Sequence, residues 1–156
     1  MMRQISFWLL ATASLNCYAW SATSDDKWRS GWGQGVSELQ VTQGSGNKID
    51  VTCASPTDLP GGSTVKFTVA GNSVESGEIL TIFDNEKPET FQTNSRGYIE
   101  SSSRAWASNF TYLLEKFKKH RKVYVRFPDG NEATFTLKGA SKAIVDSDCK
   151  AAFYYY

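Results

Sequence analysis

The chain has 156 residues, of which 40% are hydrophobic, 13% aromatic and 21% charged, with a formal net charge of +1. That balance lacks the basic excess of a nucleic-acid-binding domain, and past the first residues no run is apolar enough to span a bilayer as a helix. The length suits one domain with a real core.

Residues 1–19 read as a cleavable secretory leader. Arg3 supplies the positive n-region, Ile5 to Ala13 the apolar stretch, and Ala19 the small residue at the cut. Cuts after Ala22 or, as a lipoprotein, before Cys17 are the alternatives; Asn16 is a poor neighbour for a lipidated cysteine. Removing Arg3 with the leader leaves 16 Lys+Arg against 16 Asp+Glu. Export predicts the periplasm of a Gram-negative bacterium or the outside medium. Cys17 also leaves with the leader, so Cys53 and Cys149 remain, an even pair in an oxidising compartment that reads as a disulfide. It would close a loop of roughly 100 residues, for which chain entropy predicts about 4–5 kcal/mol.

Residues 20–35 are polar, Gly-rich and Trp-bearing, and are expected to form an irregular lead-in to a single β-rich domain over 36–150. Lys48 to Cys53 alternates with Ile49, Val51 and Cys53 on one face. With Val36 to Thr42 and the Gly44–Asn47 turn it predicts a hairpin. A Pro/Gly loop, residues 55–62, leads to Thr64–Ala70, with Val65, Phe67 and Val69 inward. Glu78 to Asp84 predicts a more apolar strand, and two weaker strands follow around Asn94–Gly97.

The period then becomes helical. Trp106, Phe110, Leu113, Leu114 and Phe117 make the apolar stripe of a helix over about 103–120. Ser102 or Ser103 can cap it, and cations crowd its C-terminal end, where they suit the dipole. Lys122 to Phe127, the Pro128–Asn131 turn and Glu132 to Leu137 predict a second hairpin. Ala140 to Val145 reads as a short helix, and residues 151–156 as an aromatic tail. The fold class is mainly β: an antiparallel β-sandwich or partly open barrel with one amphipathic helix and a short C-terminal helix.

No catalytic set emerges. His120 lies among cations in KKHRK, with no nucleophile at a recognisable spacing, and reads as an exposed surface residue. Asp84, Glu86 and Glu89 read as turn residues. No metal or cofactor motif is present. The residues proposed for partner contact are Lys116, Lys118, Lys119, Arg121 and Lys122, which could grip an anionic envelope component or an acidic protein face, and Trp28 and Trp32. The plainer readings are a solvated helix end and Trp side chains packed on the sheet.

The stretches Val123–Phe127, Pro128-Asp129-Gly130 and Phe135–Ile144, together with Gly46–Cys53, resemble small exported bacterial proteins of the invasion-associated locus B group and of the periplasmic accessory proteins of type VI secretion clusters. That resemblance implies a non-enzymatic β-sandwich tied to host interaction or to a secretion machine, and it transfers no catalytic residue. The expected function is therefore an envelope binding or accessory factor. The alternative is a periplasmic inhibitor or immunity protein that blocks a toxin or cell-wall hydrolase, with contacts from loops such as Asp58–Gly62. The export reading is checked by the mass of protein harvested from the envelope: the expected species lacks residues 1–19 and offers no alkylatable thiol until it is reduced.

Overall fold

The computed structural model describes residues 26–155 apart from residues 34, 56, 59 and 60. The expected leader, residues 1–19, lies outside the described residues. Among the described residues, nine strands, two α-helices and a 3-10 turn follow in chain order: β1 (Arg29–Gly33), β2 (Val36–Thr42), β3 (Lys48–Cys53), β4 (Thr64–Thr68), β5 (Glu78–Phe83), β6 (Glu89–Gln92), β7 (Tyr98–Ile99), α1 (Arg104–Lys119), β8 (Lys122–Arg126), β9 (Glu132–Thr136), α2 (Ala140–Asp146) and the 3-10 turn (Ala152–Tyr155).

The strands form two separate antiparallel sheets, ordered β1-β2-β3-β4-β7 and β6-β5-β8-β9, and they do not close into a barrel. The first four strands are a simple meander. The chain then moves to the second sheet for β5 and β6, returns to place β7 beside β4, and crosses back through α1 to lay β8 beside β5. Each sheet buries one face: Leu39, Val41, Ile49, Val51, Val65 and Phe67 from the first, Ile79, Phe83, Val123, Val125 and Phe135 from the second. The alternation that predicts these strands is what a half-buried antiparallel sheet requires.

Helix α1 begins at Ser103, whose hydroxyl accepts from the Trp106 N–H at 3.4 Å. Its buried stripe is Ala107, Phe110, Leu113, Leu114 and Phe117. Trp106, expected in that stripe, is only half-buried, and the neighbouring Ala107 is buried instead. Phe117 joins the layers: its ring lies 6.1 Å from Phe67 of the first sheet, 6.2 Å from Phe83 of the second and 5.8 Å from Trp28.

The lead-in expectation needs correcting over Arg29–Gly33. Those residues form a full edge strand in register with β2, from Arg29 opposite Gln40 to Gly33 opposite Val36. Gly31 and Gly33 weaken the local strand signal. Pairing supplies what propensity lacks, and Trp28 anchors the start of the strand by donating its indole N–H to the Thr136 carbonyl at 2.9 Å. Phe117→Ala is expected to cost about 3–5 kcal/mol by removing the ring that both sheets share, measured as a fall in urea midpoint with little change in slope.

Candidate functional site

The C-terminal segment is held against the sheets by one covalent bond and two buried hydroxyls. Cys53, at the inward end of β3, is joined to Cys149 across 96 residues, with the Cα atoms 4.9 Å apart. After α2 the chain turns at Asp148, whose φ of 44° is left-handed, and this delivers Cys149 to the core. The Ser63 hydroxyl accepts from the Ala54 N–H at 3.1 Å and donates to the Lys150 carbonyl at 2.6 Å. Ser101 donates to the Ser63 carbonyl at 2.7 Å and accepts from the Ala152 N–H at 3.0 Å. Both serines are fully buried, so each hydroxyl offsets the cost of burying main-chain groups that no strand or helix pairs. Gly62 is the third constraint. Its φ is +66°, and a Cβ there would lie 2.1 Å from the Ala152 Cβ.

This anchoring opens an apolar cleft of about 290 Å³ between α1, α2 and the 3-10 turn. Phe110, Leu114, Ile144, Ala151, Tyr154 and the Cys149 side chain line it, and Glu115, Lys118 and Lys150 stand at the rim. The same chain segment carries exposed apolar side chains: Val145 is 66% exposed and Tyr154, in the cleft lining, 60%, with Phe153 and Tyr155 also exposed. A larger groove, about 410 Å³, crosses the outer face of the five-stranded sheet. Much of its polar lining pairs internally: Lys48 with Asp50 at 2.9 Å, Gln40 with Asp50 at 2.7 Å, and Lys66 over the Tyr98 ring at 5.0 Å.

The basic run separates into different environments. Lys116 is drawn into an ion-pair network with Glu86 and with Glu89 at 3.0 Å, and its ammonium lies over the Tyr112 and Phe83 rings. The bond to Glu86, first among several that outweigh desolvation, holds the ammonium pKa well above the usual lysine value. The same bond pulls the Glu86 carboxyl down. Lys118 pairs with Glu115 one turn earlier. Lys119 is 71% exposed, 4.0 Å from Glu115, and Arg121 and Lys122 also face solvent. Lys118 is the only residue of the run that also reaches the rim of the apolar cleft.

His120 corrects the expectation of an exposed residue. It is half-buried, its ring tilted against that of Phe83 with the centroids 5.4 Å apart, Nδ1 3.1 Å from Asp84 and Nε2 3.6 Å from Glu86. Asp84 is more than a turn residue: its carboxylate accepts from the backbone N–H groups of Arg121 and Lys122 at 3.1–3.3 Å as the chain leaves α1. Desolvation pushes the Asp84 carboxyl up, but the bonds from His120, Arg121 and Lys122 together outweigh it and hold it below the ordinary aspartate value. Of the two predicted tryptophans, Trp28 is a packing residue, while Trp32 is 74% exposed on β1. Among the described residues no group of three His, Cys, Asp or Glu is placed to hold a metal ion, and no helix is long and apolar enough to cross a membrane.

The sequence reading gave no site role to Ser63, Ser101 or Ile144. Nothing local marks the serines. The Ala151-Ala152 pair, separated from Cys149 only by Lys150, was the one available signal, since small residues near a disulfide permit close approach. The loop Asp58–Gly62, expected to carry contacts in an inhibitor, is described only in part, and its Gly62 is committed to packing on Ala152.

The sequence model of one family, described as YfjT, matches residues 26–144, three quarters of the chain. No curated protein and no solved structure matches the chain significantly. The family match runs from the start of the first sheet into α2 and ends before Cys149.

The Asp84 cap carries a pH signature. A carboxyl held low in the folded state adds stability that is present above the unfolded aspartate value and is lost as pH falls through the folded one. Asp84→Asn keeps a residue that tolerates the left-handed φ of 49°. It is expected to cost about 1 kcal/mol near neutral pH, allowing for solvent screening. The gap from wild type should close below about pH 4, as read by urea denaturation across a pH series.

Proposed function

This chain belongs to the YfjT family, and on that premise we propose that it is a non-enzymatic protein-binding factor of the cell envelope, docking its partner through the cleft at its C-terminal end. The observation that carries the reading is the grouping of exposed apolar residues. Six large hydrophobic side chains among the described residues are exposed, and four of them, Val145, Phe153, Tyr154 and Tyr155, belong to the chain segment 145–155, which also lines the cleft with Cys149, Ala151 and Tyr154. A monomeric surface scatters such residues singly; a contiguous patch beside an apolar cavity marks an interaction surface. Tyrosine suits it, with a rigid ring to bury and a hydroxyl that stays wet.

The Cys53–Cys149 bond supports the compartment. A disulfide that closes most of a domain persists outside the cytosol, which agrees with the leader expected over residues 1–19. The engagement of the one histidine with Asp84 and Glu86 at a helix exit supports a structural use of that side chain. An accessory role in a secretion machine or in contact with a host suits a rigid, disulfide-closed scaffold whose apolar surface is gathered at one end.

The test is site-specific crosslinking in intact cells. A photo-reactive phenylalanine analogue at Tyr154 is expected to crosslink one protein, and the same analogue at Thr134, on β9 of the second sheet, is not. Tyr154→Glu should reduce recovery of that partner by about tenfold, the loss expected for truncating one central anchor. Equal crosslinking from both positions, or none from position 154, would overturn the reading.

A further inference from the structure

The four-stranded sheet carries opposite charge at its two ends. At one end β8 begins and β9 stops. The Arg121 carbonyl accepts from the Leu137 N–H at 2.7 Å, and Lys122 stands opposite Thr136 in register. The Thr136 carbonyl takes the Trp28 indole, and Asp84, three residues before Lys87 in the β5–β6 turn, accepts from the Arg121 and Lys122 N–H groups. Four separate stretches of chain thus bring Lys27, Lys87, Arg121, Lys122 and Lys138 to one end of the fold. All five are exposed, and among the described residues none of them is in an ion pair. Lys119, also exposed, adjoins them, 4.0 Å from Glu115. The carboxylates nearest in the chain are already engaged: Asp84 with His120 and those two N–H groups, Glu86 with Lys116, and Asp26 with the Gln43 amide. At the other end of the sheet stand Glu78 at the start of β5, Asp129 in the β8–β9 turn, and Glu132 opposite Arg126. None of these three carboxylates is in an ion pair among the described residues.

We propose that the basic end is a membrane-facing surface, which holds the protein against a bilayer rich in anionic phospholipid headgroups. This goes beyond the proposed function and uses none of the residues that line the cleft. Charge complementarity gives the sign of the partner. The attraction is local, because the chain as a whole has a formal net charge of only +1. The make-up of the patch gives the kind of partner. Protein interfaces are depleted in lysine and enriched in aromatic side chains. This patch has four lysines and one arginine, and none of the six exposed large hydrophobic side chains belongs to it. Lysine is a compact point charge on a flexible stem, suited to diffuse attraction by many phosphates rather than to one carboxylate held in a fork. A bilayer surface needs no recess, and none of the five cations lines the cleft or the groove on the five-stranded sheet. The acidic end of the four-stranded sheet adds orientation: the headgroups repel it and so turn the basic end towards them.

The mature chain is expected to float with vesicles of phosphatidylcholine containing about 30% phosphatidylglycerol, and not with vesicles of phosphatidylcholine alone. Binding should fall steeply as salt rises from about 0.05 to about 0.5 M, because the Debye length shrinks. Each cation near an anionic surface contributes about fivefold in affinity, so Lys122→Gln combined with Lys138→Gln should weaken partitioning about 25-fold. Both side chains are exposed, so the thermal midpoint is expected to stay in place. The same loss of charge at the acidic end, Arg126→Gln combined with Arg96→Gln in the β6–β7 turn, should leave partitioning within about twofold of wild type. A chain that does not float with the anionic vesicles at low salt overturns the proposal and leaves the cations to an acidic protein; crosslinking through position 154 is independent of that result. Equal flotation with the neutral vesicles, or an equal loss in the two double variants, overturns it as well.

Discussion

The covalent closure between Cys53 and Cys149 is the constraint on which the rest of the functional surface depends. Entropy alone makes a cross-link over 96 residues worth about 4–5 kcal/mol to a chain of this size. Its placement matters more than that figure. It ties the end of a buried strand to the segment just after α2, so that segment has little choice of path. Ser63 and Ser101 then bind that segment through its main chain, by way of the Lys150 carbonyl and the Ala152 N–H. The arrangement is polar, buried and paired at each of these contacts. Such networks tolerate little change, because one missing partner leaves a desolvated group behind.

A second dependence runs through α1. Its apolar stripe touches both sheets with one large aromatic side chain, Phe117 against Phe67 and Phe83. The opposite side of its last turns does different work. Lys116 reaches to Glu86 and Glu89, and His120 to Asp84 and Glu86, so the helix exit is bolted to the β5–β6 turn. The helix thus has a core face, an ion-paired flank against β6, and a third side, with Phe110 and Leu114, that borders the cleft. Cations in the last turn still favour the helix dipole, but the nearest carboxylates consume much of their field.

These features explain why the strands were easier to read than the site. Alternation in Lys48–Cys53 and Lys122–Arg126 is a one-dimensional consequence of having one wet and one dry face, and β3 and β8 appear where that pattern lies. The stripe ending in Phe117 is equally direct, and α1 deviates only at Trp106, where Ala107 packs instead. β1 was missed because two glycines and an exposed tryptophan carry no strand signal of their own; hydrogen bonding to β2 makes it a strand. The basic run looked like one patch because its residues are adjacent in the chain. A helix and the turn after it send adjacent residues in different directions, so Lys116 meets Glu86, Lys118 faces the cleft rim and Lys119 faces water.

By itself, then, the sequence determined the class of the protein: a mainly β domain with one amphipathic helix and two cysteines available to pair. Hydrophobic period and cysteine count are properties of the chain that any fold must satisfy. Only the tertiary structure decided that there are two sheets and no barrel, that β7 returns to the first of them, and that Gly62, Ser63, Ser101 and the residues after Cys149 meet to shape an apolar cleft. Those contacts join residues tens of positions apart, between groups as plain as a glycine and an alanine. No local preference encodes such a meeting; it follows from how the sheets, the helix and the disulfide together fill one volume.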